Sequence, residues 1–307
     1  MPARLAIPAA LTSQVQNGKA VLVLGAGASV GAVHVDGRDI PLGRVLGRLI
    51  SERFLGGEHK ADDLAVVSEL AISETDLFTV QEYIRELFGP FHPADFHRSI
   101  TTFKWHGIAT LNYDLILERA YSANALQTLR VITSNADRIQ DYVTSPSDLL
   151  LLKLHGCITN TRDDRLPLIL TPDQYVTHRR HRSRLYDILK EWAHERTLIF
   201  VGTTLRDFDL RHLLVELIED APSRPRFYFV TPAATEPLQR FWESKHITIL
   251  PIAFEEFLSQ LDAGVPGLAR AIPLPVTEFA LFERFRANRP ALTDAAQKVL
   301  EHDTEYV

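Results

Sequence analysis

The strongest constraint on the fold is a set of six short apolar runs, each closed by glycine or small polar residues: Lys19–Leu24, Gly107–Leu111, Asp148–Leu154, Thr197–Val201, Arg226–Val230 and Ile247–Leu250. Runs that are apolar at consecutive positions have no polar face to turn to water, so they suit strands covered on both sides. Between them, apolar residues recur at helical spacing, as in Leu42, Val45, Leu46, Leu49 and Ile50 of segment 41–54, and in Val80, Tyr83, Ile84 and Leu87 of segment 64–88. Further helices are expected from Leu115, over 173–194 and over 254–261. Strands alternating with helices predict an α/β class: a Rossmann-like parallel sheet with helices on both faces. Ligands of such sheets bind beyond the C-terminal strand ends, so the clusters that close the runs are expected to converge in space.

Composition narrows the function classes. With 33 basic against 39 acidic side chains, the net charge of -6 gives no general attraction to a polyanion, so direct nucleic-acid binding is not expected. No run approaches the ~18 apolar residues of a membrane span, and the N-terminus lacks the pattern of a secretory leader, so no membrane partner and a cytoplasmic protein are expected. A single cysteine, Cys157, allows neither an internal disulfide nor a site of several thiolates.

Four of the strand-end clusters carry the chemistry. Gly25-Ala26-Gly27-Ala28-Ser29 places glycines where a backbone turns tightly and approaches a pyrophosphate, with free N–H groups expected at the start of the next helix; a dinucleotide is the implied ligand. The competing reading is a plain glycine turn. Val30 stands where the strict pattern has its third glycine, and no acidic residue closes a second strand some 20 residues on, which counts against hydride transfer. Thr110-Leu111-Asn112-Tyr113-Asp114 sets an amide and a carboxylate two residues apart; Asp114 taken alone reads more strongly as a helix N-cap. His155-Gly156 follows the third run with an imidazole able to exchange a proton near neutral pH. Gly202-Thr203-Thr204 offers small hydroxyl groups suited to a ribose or phosphate, or an N-cap.

In this order, the four clusters resemble the G-A-G-x-S, T-x-N-x-D, H-G and G-T-S motifs of the sirtuin superfamily, over roughly residues 19 to 260. The chain is most similar to the sirtuin-like NADase effector domains of bacterial antiphage systems of the Thoeris, short-Argonaute and HerA-associated types. The resemblance implies a NAD glycohydrolase that cleaves the nicotinamide–ribose bond and depletes NAD in abortive infection, with NAD as substrate and no metal. It implies Asn112 and His155 as catalytic residues, with Asp114 facing the nicotinamide amide. Gly25, Ala26, Gly27 and Ser29 would hold phosphate, Gly202, Thr203 and Thr204 would lie by the adenosine side, and Thr231 would be a weaker contact to the same ribose. It also implies a homo-oligomer and an activating partner or fused regulatory protein of a defence system.

Departures from the deacetylase pattern shape that reading. The four zinc-binding cysteines are absent, and the helical stretch over 173–194 stands in place of the zinc module. Leu111 replaces a glutamine, and Asp39-Ile40-Pro41-Leu42-Gly43 keeps only the Ile-Pro core of a further motif. A non-catalytic NAD or ADP-ribose sensing module is the alternative, with a lysine deacylase behind it. Residues 1–272 are expected to form the NAD-binding domain, with helical insertions over about 41–100 and 173–194. Residues 273–307 read as a helical tail that links to another domain or docks on a partner. The basic segment Thr177–Arg184 reads as a solvated helix face.

Overall fold

The structure, a computed structural model, describes residues 7–123, 125–177, 179–204, 208–219, 223–265 and 267–270; the tail expected over 273–307 lies outside them. Seven parallel strands form one sheet: β1 Ala20–Leu24, β2 Gly107–Thr110, β3 Thr128–Ile132, β4 Asp148–Lys153, β5 Thr197–Val201, β6 Phe227–Val230 and β7 Ile247–Leu250, in the order β3-β4-β2-β1-β5-β6-β7. This is the expected Rossmann-like α/β fold. β1 lies between β2 and β5, in registers that run from Val21–Gly107 to Leu24–Thr110 and from Ala20–Thr197 to Leu24–Val201. After β4 the chain crosses to the other side of β1, which makes the C-terminal ends of β2, β1 and β5 the switch point of the sheet.

The apolar runs become central strands because both of their faces are covered. In β1, Leu22 and Leu24 pack with α1 (Ala9–Gln16) and α12 (Phe254–Gly264) on one face. Val21 and Val23 point the other way, toward α9 (Arg179–Glu195) and α10 (Phe208–Glu219), as the two-residue period of a strand requires. A third core joins α2 (Gly43–Phe54), α3 (Leu64–Glu74) and α4 (Leu77–Phe88) to Ile158, Leu168 and Leu170. The α4 N-terminus is capped by Asp76, whose carboxylate accepts from the Thr79 N–H at 3.0 Å. Among the described residues no helix is long and apolar enough to cross a membrane.

Two features differ from the sequence reading. β3, absent from the six runs, is an edge strand paired only with β4; its half-exposed Leu129, Arg130 and Val131 lack the continuous apolar signature of a buried strand. The basic segment is not wholly a solvated face. Arg182 is buried, and its guanidinium donates to the carbonyls of Thr133 (3.3 Å) and Pro167 (2.8 Å), fastening the start of α9 to two loops. Burial pushes its pKa down to about 10.

At the opposite end of the sheet from the strand-end clusters, β2 begins under the indole of Trp192. A Cβ built on Gly107 would stand 2.4 Å from the Trp192 ring, so Gly107→Ala is expected to cost about 1–3 kcal/mol by overpacking, read as a lower urea midpoint. Beside it, burial and then the Arg196 guanidinium push the His106 imidazole down to about 4, from an ordinary 6.5. The folded protein therefore resists a proton that the unfolded chain accepts. Stability present above pH ~6.5 is expected to fall by about 1–3 kcal/mol on acidification toward pH 4, and His106→Gln is expected to flatten that slope in urea titrations.

Candidate functional site

The glycine turn owes its shape to β5. After β1, residues Ala26–Ser29 form a single short 3-10 turn rather than the start of a long helix. The Gly25 N–H donates to the Val201 carbonyl at 2.9 Å, the Gly27 N–H to that of Gly202 at 2.8 Å, and the Ala28 N–H to that of Gly25 at 2.9 Å. The expected set of free N–H groups is thus largely spent inside the protein. A Cβ at Gly27 would lie 2.8 Å from the Gly202 Cα, and one at Gly202, which has φ +66°, would lie 2.0 Å from the Ala28 nitrogen. Here the glycines let two loop backbones touch. Behind the turn, the Ala94 N–H donates to His97 Nδ1 at 3.1 Å, which leaves Nε2–H to donate to the Ala28 carbonyl at 2.9 Å. Burial lowers the His97 pKa and favours this neutral form.

The loop after β2 carries Asn112 and Asp114. The Asn112 N–H donates to the Thr110 hydroxyl (3.1 Å), and its Nδ2 donates to the Gly25 carbonyl (3.1 Å) and to the Ser29 hydroxyl oxygen (2.9 Å). Its Oδ1 is buried and accepts no hydrogen bond from the described residues. Asp114 is buried, accepting from the Ser29 hydroxyl at 2.7 Å through Oδ2 and from the Ile116 N–H at 3.0 Å through Oδ1. From just before the Leu115 N-cap it therefore takes up the first N–H of α6 (Ile116–Tyr121) and also holds Ser29. Beneath the loop, Lys153, only 1% exposed, donates to the Asp114 carbonyl (2.6 Å) and pairs with Glu118 (3.1 Å). Burial disfavours its charge, but Glu118, followed by Cys157 and Asp114, outweighs this and holds the amine above the ordinary lysine value. Glu118 Oε2 is buried without a hydrogen-bond partner among the described residues.

His155 follows β4 and is buried, with the Tyr175 ring edge-on at 5.3 Å from α8 (Pro172–Thr177). A strap over 167–171 supports it. The Ile169 N–H donates to the His155 carbonyl at 3.0 Å, the Tyr113 hydroxyl donates to the Ile169 carbonyl at 2.5 Å, and buried Gln81 accepts from the Leu168 N–H at 2.6 Å.

These groups share one cavity of about 230 Å³. Gly25, Ala26, Ser29, Asn112, Asp114, His155, Gly202, Thr203 and Thr204 all line it, as the strand-end argument expected. Two expected site residues do not. Gly27 lies against Gly202. Thr231 closes β6, separated from β1 by β5, with its N–H donating to the Leu250 carbonyl (3.1 Å) and its hydroxyl accepting from the Ala233 N–H (3.3 Å). The opposite wall comes from Ile40, Pro41, Leu42, Leu46, Leu64 and Phe88, which sequence reasoning did not place at a site. Leu46, Leu64 and Phe88 were visible only as part of the apolar stripe of helices that also form a core of their own, and Ile40 and Pro41 only as the Ile-Pro remnant of a further motif. Lys153 was visible as a charge inside an apolar run, and Tyr175 gave no signal at all. Among the described residues no group of three or more His, Cys, Asp or Glu side chains could hold a metal ion.

Fold and site together define an α/β protein with a polar strand-end cavity roofed by a helical module. Residues 106–250, somewhat under half of the chain, match the family model of the SIR2-like domain. No curated protein matches the chain. Solved structures similar to it include two described as Sir2 proteins. One, described as the structural basis for the mechanism and regulation of Sir2 enzymes, has 14% identity and a TM-score of 0.46, over 83% of this chain and 96% of that one. The other is SIR2 in complex with the inhibitor EX-527, 2'-O-acetyl-ADP-ribose and a deacetylated peptide, at 13% identity and a TM-score of 0.43, over 82% of this chain and 97% of that one.

The buried pair beneath the loop sets a stability test. Lys153→Met leaves the half-buried Glu118 carboxylate without its cation and is expected to cost about 2–3 kcal/mol. Adding Glu118→Gln is expected to return much of that loss, read as the recovery of the urea midpoint in the double variant.

Proposed function

We propose that this cavity binds NAD and hydrolyses it to nicotinamide and ADP-ribose. The observation that carries the reading is the buried, unpartnered Oδ1 of Asn112 in one cavity with His155 and the glycine turn. A buried acceptor left unmet costs free energy unless a ligand or water supplies the donor. A ribose hydroxyl or an attacking water would supply it here. The match of residues 106–250 to the SIR2-like domain supports a NAD-dependent site. The single cysteine and the loss of the deacetylase glutamine favour hydrolysis over deacylation.

Cleavage of the bond between ribose C1′ and the nicotinamide nitrogen returns its electron pair to the ring, so a cationic pyridinium departs as neutral nicotinamide. The ribose takes on oxocarbenium character, the oxygen of one water bonds to C1′, and its proton passes to a base and then to solvent. Asn112 orients the ribose hydroxyl or the water, and His155 accepts the proton. The apolar wall from Ile40 to Phe88 excludes bulk water from the cation. The cavity encloses the reacting half of the dinucleotide, and the remainder runs out past Gly202 and Thr203 toward exposed Thr204. Ser29 and Asp114 are already bonded to each other, so their part is to hold the site.

The resemblance to antiphage effectors extends the proposal to NAD depletion during defence, with a homo-oligomer or a partner protein releasing activity. Asn112→Ala and His155→Ala are each expected to lower nicotinamide release by about 100-fold or more at an unchanged melting temperature. Full turnover by both purified variants would overturn the assignment. Tight NAD binding by the parent protein without nicotinamide release, across concentrations that favour oligomers, would point to a sensing module.

A further inference from the structure

Asn112 presents its carbonyl oxygen to the cavity only if its carboxamide is held in one of two nearly isosteric orientations. We propose that Ser29 and Asp114 are positioning residues that set this orientation by fixing the direction of the hydrogen bonds beneath Asn112. The inference rests on the reading of Asn112 as the residue that orients the ribose or water, and it deepens that reading. It also gives Ser29 and Asp114 tasks other than binding phosphate or the nicotinamide amide.

One hydrogen atom, that of the Ser29 hydroxyl, sets the direction of the whole hydrogen-bond chain. A carboxylate can only accept, and the two Asp114 oxygens accept from different donors, the Ser29 hydroxyl at 2.7 Å and the Ile116 N–H at 3.0 Å. The Ser29 hydrogen is therefore committed to Asp114, and the face of its oxygen toward Asn112 carries a lone pair. Only the NH₂ end of Asn112 can meet that lone pair, at 2.9 Å, and the same end meets the Gly25 carbonyl at 3.1 Å. Inverting the carboxamide would set its oxygen against two acceptors at once. Oδ1 is left on the other side, buried and without a partner. Lys153 steadies the start of this chain by donating to the Asp114 carbonyl at 2.6 Å. Ser29 and Asp114 are themselves buried, so water does not readily replace the direction they impose.

Asp114→Asn is the decisive change, because it keeps the shape and reverses the logic. An amide at 114 can donate to Ser29, which frees the Ser29 hydrogen to turn toward Asn112 and removes one of the two acceptors that oppose inversion, leaving the Gly25 carbonyl alone to hold the NH₂ end. The expected result is a fall in kcat for nicotinamide release of about 10- to 100-fold with the KM for NAD within about threefold, at an unchanged melting temperature. Ser29→Ala is expected to do the same, and the double variant to be no worse than Ser29→Ala alone, because the two residues act in series. A second readout needs no turnover. In the ligand-free protein, the Asn112 side-chain NH₂ protons are expected to exchange slowly with solvent by NMR and at least about 10-fold faster in Asp114→Asn and Ser29→Ala. If the parent protein binds NAD but releases no nicotinamide at concentrations that favour oligomers, the site reads as a sensing module and the exchange result alone decides the positioning role. Parent-like exchange in both variants, or additive losses of kcat in the double variant, would overturn it.

Discussion

The site depends on a contact between two backbones. Where β1 and β5 end, the turn at Gly25–Gly27 and the loop at Gly202 lie closer than any side chain allows, with two N–H···O bonds joining them. That approach brings the first strand's turn beside Thr203 and Thr204, and it fixes the Gly25 carbonyl on which Asn112 rests. Glycine at 202 is required twice, by its left-handed φ and by the space the Ala28 nitrogen already fills. The sheet order makes the contact possible, because only the strands flanking β1 can place their loops against its turn.

Beneath that contact the protein keeps a polar layer where an α/β fold would ordinarily put apolar packing. Lys153, Glu118, Asp114, Ser29 and His97 are all held between the sheet and the helices α5 (Asp95–Ser99) and α6. Such a layer adds little net stability, since the desolvation of each charge offsets most of its attraction to the others. What it adds is direction. Each donor has a specified acceptor, so the loop from Asn112 to Asp114 is held in one arrangement while Asn112 Oδ1 is left for something outside the chain. An apolar layer of equal volume could hold the loop without deciding which end of the amide faces the cavity.

The strands flanking the switch point were legible because burial on both faces leaves an uninterrupted apolar signature: Lys19–Leu24 and Thr197–Val201 announce themselves. β3 was not, because an edge strand is covered less and Arg130 can reach Asp148 across the edge. The convergence of Asn112, His155 and Gly202 followed from the rule that strand ends meet, and it needed no contact information. Their partners did not follow. Nothing in the order of residues tells that the N–H groups of Gly25 and Gly27 face the β5 loop, that Ser29 donates to Asp114, or that Arg182 turns inward within a run of basic residues. Sequence pattern reports which face of an element is buried, whereas hydrogen-bond direction depends on what the opposite element presents.

The two walls of the cavity have different origins, and this bears on what distinguishes the protein. Asn112, Asp114, His155 and Gly202–Thr204 fall within the segment that matches the SIR2-like domain, whereas the glycine turn and the apolar wall from Ile40 to Phe88 lie outside it. The polar wall is built on strand ends, which the sheet holds rigidly. The apolar wall sits on the segment Ile40–Leu42 and on α2, α3 and α4, whose core is separate from the two that sandwich the sheet. It joins the strand-end wall through a few fixed points, among them buried Gln81 on the strap that carries His155. A change in the helical module can therefore alter the shape and dryness of the cavity without disturbing the groups on the strand ends. On the proposed function, selectivity for what enters would then be a property of residues 40–88, and the chemistry performed on it a property of the loops at the centre of the sheet.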